Sequence, residues 1–485
     1  MESSFDYSNF VHGDNSLPQS VTSLPAYSRR PSPPPRARRG LTEHVVELSS
    51  DITNKRAKTW ATLRVYSKAP AATLPTFAEG EKITGSVTLD SKISNSRHIS
   101  CVKVIVSFHS ASHVEKRKTG RFRRRTRRRL SVDRVTFLET STTLWSKDVH
   151  ATRQNGMHWP FSIHLPGEVV VSSGTMNVQA YALPPTFMER NTRACIRYNL
   201  IVHISRSKFR EDSNLQMTWI YIPATKPDPP SPLRQLAYQE NSPLLGPQDD
   251  PRGWYTLPST KVYGTLFKNR VVEVTLNLSL AQPLSYTRGS VIPVSLTLSS
   301  TDSQALDLLS SRQSLTVRLR RKVTSNSAQT FAELNAPWNA TQGAILTEPT
   351  VEIADAVWWQ RPGSVNINET IMNSTMQSKT RLYREMEGEI LLPKNLKPTF
   401  RISHFGIEYS VVLLPFDTTG FAPSTPAAKF YNGPILEQRV EIVTMFPRGP
   451  RPISHSPPGY QEQATHATRS PLPSGRTSVP PSRGR

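Results

Sequence analysis

Apolar and polar residues alternate with a period of two through most of the middle of the chain. Three such segments have their apolar positions at Val102, Val104, Val106 and Phe108; at Val272, Val274, Leu276, Leu278 and Leu280; and at Leu315, Val317 and Leu319. This period is typical of β-strands with one buried and one solvated face. Amphipathic helical patterns are hard to find, so the chain is predicted to be all-β and built from antiparallel β-sandwiches.

The pattern occurs once in each half of the sequence. The earlier copy contains Phe77-Ala-Glu-Gly80, Leu165-Pro166, Pro185-Thr-Phe187 and Tyr198. The later copy contains, in the same order, Tyr286-Thr-Arg-Gly289, Leu392-Pro393, Pro398-Thr-Phe400 and Tyr409. Because the order of these residues is the same in both halves while the distances between them vary, we predict two related modules whose loops differ in length.

Proline-rich stretches at both ends and in the middle set the expected boundaries. We predict a disordered tail at 1–59, a first sandwich at 60–224, an extended Pro-rich linker at 225–258, a second sandwich at 259–446 with a loop insertion at 325–379, and a disordered tail at 447–485. Proline cannot donate to a sheet ladder and few residues of the tails could bury surface.

Composition limits the classes of protein that fit. The 485 residues carry a formal net charge of +23, which favours partners with anionic surfaces. The two cysteines, Cys101 and Cys195, support neither a disulfide framework nor a thiolate metal site. The N-terminus lacks the apolar core of a secretory signal peptide, so we expect a cytoplasmic protein. The sequence contains no nucleophile elbow, P-loop, dinucleotide-binding or zincin motif, so we expect no enzyme and no cofactor.

Two short motifs in the tails predict recognition by WW domains. Pro457-Pro458-Gly459-Tyr460 is a PPxY sequence, and Leu24-Pro25-Ala26-Tyr27 is its LPxY variant. Proline favours the polyproline II conformation, so little entropy is lost when the segment docks in an aromatic groove. Pro457, Pro458 and Tyr460, with Leu24, Pro25 and Tyr27, are the predicted contacts, and ordinary low-complexity proline is the alternative.

A basic run extends from Lys116 to Arg129. Its ten basic residues are Lys116, Arg117, Lys118, Arg121, Arg123, Arg124, Arg125, Arg127, Arg128 and Arg129. It lies between two strand-like segments, one ending at Phe108 and one starting near Val132, so we expect a hairpin loop. It could contact an anionic phospholipid surface or an acidic protein, mediate nuclear import or nucleic-acid binding, or remain a solvated loop. Nucleic acid is the less favoured partner, because only Phe122 could stack on a base.

Ser32 is a candidate phosphorylation site. It follows Arg29-Arg30-Pro31 and is followed by three prolines, Pro33 to Pro35. A phosphate there would suit an Arg-lined phosphopeptide receptor of the 14-3-3 type, and a plain charged linker is the alternative.

Through these repeated residues and the blocks around them, the chain resembles the arrestin superfamily, specifically the fungal arrestin-related trafficking adaptors. The first half carries the resemblance through Phe77–Leu89, Trp159–Pro166, Leu183–Phe187 and Cys195–Ile204. The second half carries it through Tyr286–Leu298 and Gly388–Pro393 to Tyr409. The resemblance covers about 60–446 and implies two arrestin-like sandwiches in tandem.

The resemblance also implies a function. In that family the sandwiches form a cytosolic scaffold that recognises membrane transporters or receptors, and PPxY motifs recruit HECT-type ubiquitin ligases through WW domains. The expected outcome is ubiquitination, endocytosis and sorting of the cargo, with the adaptor peripheral at the plasma membrane and endosomes. The alternatives are a ubiquitin-independent endosomal sorting scaffold of the same fold and a basic nucleic-acid-associated protein.

Overall fold

The computed structural model describes the chain in segments. They are 40–49, 58–90, 98–116, 129–147, 157–173, 177–189, 192, 194–207, 211–326, 345–347, 349–360, 369–371, 379–402, 405–424 and 433–457. Across these residues the structure is nearly all β, and the prediction of two tandem antiparallel β-sandwiches is confirmed. No helix in these segments has the length and apolar character needed to cross a membrane.

The first sandwich consists of a four-stranded sheet and a five-stranded sheet, ordered β1-β2-β4-β7 and β3-β11-β10-β5-β6, with the hairpin β8-β9 beside them. Its strands are β1 Thr42–Ser49, β2 Thr59–Ser67, β3 Thr76–Ala78, β4 Lys82–Leu89, β5 Ile99–Lys116, β6 Arg129–Ser146, β7 His158–His164, β8 Glu168–Ser173, β9 Asn177–Ala182, β10 Ala194–Arg206 and β11 Ser213–Ile222. The alternating positions Val102, Val104, Val106 and Phe108 are all buried, as the sequence pattern predicts.

The second sandwich is formed by one long sheet that folds over itself. Its elements are α1 Pro232–Glu240, β12 Trp254–Thr256, β13 Thr260–Leu266, β14 Arg270–Ala281, β15 Ser285–Thr287, β16 Val291–Ser300, α2 Ser303–Leu309, β17 Val317–Asn326, β18 Ile345–Thr347, β19 Val351–Gln360, β20 Glu369–Ile371, β21 Lys379–Leu391, β22 Phe400–Ile402, β23 Phe405–Leu413, β24 Phe421–Pro423 and β25 Leu436–Val443. Strand β19 pairs with β17 through its first half and with β21 through its second. This one strand therefore connects the layer that contains β17 to the layer that contains β21.

The internal repeat has a structural basis in two buried tyrosines. Tyr198 Oη donates a hydrogen bond to the carbonyl of Pro184 at 2.6 Å. Tyr409 Oη donates to the carbonyl of Lys397 at 2.7 Å. In both modules the accepting carbonyl belongs to the residue just before Pro-Thr-Phe. The repeated residues are thus a framework that fixes the loop leading to a central strand.

The threonine of each Pro-Thr-Phe sequence makes the next equivalent contact. Thr186 Oγ1 accepts the backbone N–H of Tyr221, and Thr399 Oγ1 accepts that of Ile442, both at 2.8 Å. The strands β3 and β15, which precede the repeated glycines, pair in parallel with β11 and β25. Those glycines, Gly80 and Gly289, have φ values of +79° and +78°, a backbone region that favours glycine. The two modules are therefore built on the same hydrogen-bond plan.

Replacing Tyr198 or Tyr409 with phenylalanine is expected to lower the free energy of unfolding by about 1–2 kcal/mol in each case, because a buried carbonyl loses its donor. Urea unfolding followed by tryptophan fluorescence measures the loss. The control is Tyr263→Phe at a tyrosine that is 43% exposed, where we expect a change within about 0.5 kcal/mol. A loss no larger than the control's for both buried tyrosines would contradict the framework role.

Order begins earlier than the sequence indicated. Residues 1–59 were expected to be disordered, yet β1, Thr42–Ser49, pairs with β2 along its whole length. The His44 ring is buried and hydrogen-bonds the Ser67 hydroxyl at 2.9 Å, and Glu43 forms an ion pair with Arg64. Only one side chain of β1 is buried and the others are half-buried or exposed, so its hydropathy pattern is weak without the partner strand. Residues 1–39 lie outside the described residues.

The segment 225–258 is not the extended linker predicted from its prolines. It contains α1, where Ser231 caps the N-terminus by accepting the N–H of Arg234 and Pro232 occupies the first turn. Proline is compatible with a helix at that position, because the missing N–H has no partner there anyway. Strand β12 at the end of the segment pairs with β14. From α1 to β12 the segment is therefore part of the second sandwich.

Two other predicted boundaries also need correction. The insertion 325–379 was expected to be a loop, but it contributes β19 to the long sheet, along with β18 and β20. The tail was expected to be disordered from residue 447, but residues 447–457, here called the C-terminal segment, pack on the second sandwich. The C-terminal segment is held by hydrogen bonds from a backbone N–H and a serine hydroxyl, and a hydropathy pattern does not reveal such contacts.

Candidate functional site

The C-terminal segment leads into the PPxY sequence. Pro457, the first residue of that motif, lies at the end of the segment, whereas Pro458, Gly459 and Tyr460 lie outside the described residues. Leu24, Pro25, Tyr27 and Ser32 lie outside them as well. The candidate site is therefore the contact between this segment and the second sandwich.

Glu389 holds the C-terminal segment in place. Its carboxylate accepts hydrogen bonds from Ser454 Oγ at 2.7 Å and from the backbone N–H of His455 at 2.7 Å. Glu389 lies in β21 and is 4% exposed. Burial raises the pKa of Glu389, and the hydrogen bonds from His455, Ser454 and the Ser456 backbone act in the opposite direction. The segment is thus bound by charge-assisted hydrogen bonds to one buried carboxylate.

Helix α1 contacts the same segment from the other side. The Tyr238 ring stacks on the His455 imidazole with centroids 6.3 Å apart and planes 11° apart. Burial raises the pKa of Tyr238 to about 12 and lowers the pKa of His455. Arg234 of α1 lies over the Trp254 ring at 4.8 Å and donates to the Gln282 carbonyl. The helix therefore links the C-terminal segment to β12 and to the end of β14.

A cavity of about 440 Å³ lies between the end of the C-terminal segment and the long sheet. Its lining includes Glu385, Glu387 and Glu389 of β21, Trp359 of β19, and His455 and Pro457 of the C-terminal segment. Trp359 Nε1 donates to Glu387 at 3.2 Å. The cavity wall on the sheet side is acidic, in a chain whose overall charge is strongly positive.

The basic run connects two paired strands. Lys116 and Arg129 are opposite each other at the ends of β5 and β6, so the run spans a β-hairpin. Both strands are longer than the sequence predicts. β5 continues past Phe108 to Lys116, and β6 begins at Arg129 rather than near Val132. Arg117, Lys118, Arg121, Arg123, Arg124, Arg125, Arg127 and Arg128 lie outside the described residues.

An ion pair joins the two sandwiches. Arg321 of β17 donates from Nη1 and Nη2 to the two carboxylate oxygens of Glu189, at 2.9 and 2.7 Å. The Arg321 side chain is 11% exposed and that of Glu189 is 30% exposed. Burial alone would lower the pKa of Arg321, but the hydrogen bonds and charge of Glu189 outweigh it and raise the pKa. Burial lowers the pKa of Lys397, which also faces Glu189.

Aromatic packing lies beside the ion pair. The Phe187 ring of the first sandwich is 5.4 Å from that of Phe405 in β23, and Phe405 stacks on Phe400 at 5.4 Å. Phe187 and Phe400 are the repeated phenylalanines of the two Pro-Thr-Phe sequences. Thr225 and Thr444 add backbone and hydroxyl hydrogen bonds between the sandwiches. The repeat therefore supplies both the internal framework and the contact between modules.

Sequence reasoning missed Glu389, Glu189 and Arg321. A signal for Glu389 is present, because Glu385, Glu387 and Glu389 alternate along one strand and must share a face. Glu189 and Arg321 are 132 residues apart in sequence, and no local pattern links them. Within the described segments, no group of three metal-ligating side chains is close enough to hold a metal ion.

Part of the first sandwich matches a known protein family. Residues 71–223 match the family model described as "Arrestin (or S-antigen), N-terminal domain". The matched range runs from just before β3 to just past the end of β11. No curated protein matches the chain. The match supports the resemblance to the arrestin superfamily, and for the second sandwich that resemblance rests on the fold and the internal repeat.

Proposed function

We propose that this chain is a non-enzymatic adaptor that brings a HECT-type ubiquitin ligase to membrane transporters or receptors, and so promotes their ubiquitination, endocytosis and sorting. The observation that carries the proposal is a PPxY sequence, 457–460, joined directly to a pair of arrestin-like sandwiches. The arrestin N-terminal match over 71–223 supports an adaptor role of this general type.

The PPxY sequence supplies the ligase contact in this proposal. Pro457 and Pro458 favour the extended conformation that an aromatic WW groove accepts, and Tyr460 supplies a second anchor. The C-terminal segment holds the start of the motif at the surface of the second sandwich through Glu389. The LPxY sequence at Leu24–Tyr27 provides a second contact, and two contacts raise the avidity for a ligase with several WW domains.

The two sandwiches supply the scaffold. Their contact combines a bidentate ion pair, aromatic packing and paired threonines, so the modules are held by several independent interactions. A scaffold of this kind fixes the distance between a bound ligase and a bound cargo, which is a requirement for ubiquitin transfer to the cargo. The proposal places the protein in the cytoplasm, peripheral at the plasma membrane and endosomes.

The test is recovery of an immobilised WW-domain fragment of a HECT-type ligase by the full chain. The variant Tyr460→Ala with Tyr27→Ala is expected to bind more weakly by about 2 kcal/mol or more, roughly 30-fold in Kd, because each motif loses its aromatic anchor. The control is Tyr263→Ala, which removes an exposed tyrosine outside both motifs. Equal recovery of the double variant and the control would disprove ligase recruitment through these motifs. Cargo internalisation that persists in the double variant would favour the ubiquitin-independent sorting scaffold.

A further inference from the structure

Ser454 lies at the point where the C-terminal segment meets Glu389, in a sequence with basic residues before it. Arg448 and Arg451 precede Ser454 by six and three residues, and both arginines are exposed. Arginine at these two positions is the pattern that basophilic protein kinases read through acidic pockets. Ser454 itself is half-buried, and its hydroxyl is 2.7 Å from Glu389 Oε2 and 2.9 Å from Ser456 Oγ.

The surroundings of Ser454 stabilise a neutral hydroxyl but would repel a negatively charged group. The hydroxyl donates to a carboxylate that is 4% exposed, and the adjacent Glu387 adds repulsion of the same sign at Glu389. Glu385, Glu387 and Glu389 all line the cavity that the segment covers. A phosphate has no proton to donate to Glu389 once ionised, and it adds about two negative charges beside the carboxylates. The docked position and a phosphorylated Ser454 are therefore incompatible.

We propose that Ser454 is a phosphorylation site for a basophilic protein kinase, and that its modification releases the C-terminal segment from Glu389. The γ-phosphoryl group of ATP is transferred to Ser454 Oγ, the bond from that phosphorus to the β–γ bridging oxygen breaks, and ADP and the hydroxyl proton leave. Because Ser454 is half-buried when docked, the kinase acts on the undocked segment, and the phosphate prevents its return.

The consequence for the PPxY sequence rests on the proposed function. The motif begins at Pro457, three residues after Ser454, and Pro457 forms part of the cavity wall while the segment is docked. A WW groove must surround the motif, so docking of Pro457 competes with ligase binding. Phosphorylation of Ser454 therefore raises the affinity of the full chain for a WW domain.

Amide hydrogen exchange of residues 447–457 in the full chain tests the release directly. Ser454→Glu is expected to speed exchange at His455 and Ser456 by at least about 10-fold, because like charges meet at Glu389. Ser162→Glu, which adds the same charge at an exposed serine of β7, is the matched control and should leave these amides unchanged. Wild-type exchange in Ser454→Glu would overturn the proposal.

A double-mutant cycle identifies Glu389 as the group that repels the phosphate. In the Glu389→Gln background the added effect of Ser454→Glu is expected to fall to about 3-fold or less, since the amide is neutral. An equal effect in both backgrounds would overturn the role of Glu389. Incubation with ATP and a basophilic kinase, followed by mass spectrometry, should show phosphate on Ser454 in the wild type and a loss of at least about 10-fold in Arg451→Ala. Absence of phosphate on Ser454 in the wild type would overturn the modification itself.

A binding measurement separates this inference from the proposed function. The WW-domain fragment is titrated with a synthetic peptide of residues 454–464 and with the full chain. If the peptide binds and Ser454→Glu brings the full chain close to the peptide's affinity, both claims stand. If exchange changes but the peptide does not bind, release is supported and ligase recruitment fails. If the peptide binds and the full chain is indifferent to Ser454→Glu, control of the ligase contact fails.

Discussion

Replacing Phe187 with alanine is expected to lower the free energy of unfolding by about 3–5 kcal/mol, the range for deleting a fully buried phenylalanine. Phe187 is 0% exposed, and its ring packs against Phe405 of the other sandwich. Its backbone also exchanges two hydrogen bonds with Ile196 of β10, which fix the position of the ring. The substitution should therefore leave a cavity that cannot collapse.

Urea unfolding of the full chain measures this effect as a shift of the midpoint. The matched control is Phe267→Ala, because Phe267 is 59% exposed. We expect that control to change the free energy of unfolding by no more than about 0.5–1 kcal/mol. Comparable shifts for the two variants would show that the aromatic contact between the sandwiches contributes little.

Replacing Glu189 with alanine is the second large effect, with an expected loss of about 2–4 kcal/mol. The substitution leaves Arg321, whose side chain is 11% exposed, without its bidentate partner. Arg288 and Arg321 both repel Lys397, and without Glu189 this repulsion is no longer offset by the carboxylate. The double variant Glu189→Ala with Arg321→Leu should recover much of the loss, because no unpaired charge remains at the interface.

The chain contains an internal control for this ion pair. Glu43 and Arg64 are 2.9 Å apart, but their side chains are 45% and 40% exposed. Glu43→Ala is therefore expected to cost no more than about 1 kcal/mol. Similar losses at Glu43 and Glu189, or additive losses in the double variant, would argue against a buried ion pair that joins the sandwiches.

The fold was largely predictable because its main signals are local. A period of two identifies β14 as a strand with a buried face, and Val274, Leu276 and Leu278 are all 0% exposed. The internal repeat was also readable, since Tyr198 and Tyr409 occupy equivalent positions and donate to equivalent carbonyls. Each of these features depends on residues a few positions apart, or on a comparison of one half with the other.

The errors arose where long-range contacts decide the structure. The prolines around α1 indicated an extended linker, but Ser231 and Pro232 are also good residues for starting a helix. Strand β19 has a mixed pattern because it lies at the edge between two layers and pairs with both. The C-terminal segment is held through backbone N–H groups and serine, which carry no hydrophobic signal. Glu189 and Arg321 meet only after both sandwiches have formed.

Strand β1 also bears on how fragments of this protein would behave. It pairs along the whole of β2, whose other side pairs with β4. A fragment cut at the boundary suggested by the sequence, near Trp60, would lose β1 and leave the backbone N–H and C=O groups of β2 open on one side. An open strand edge can pair with the same edge of another molecule. By covering this edge of β2, strand β1 thus prevents self-association of the first sandwich through that edge.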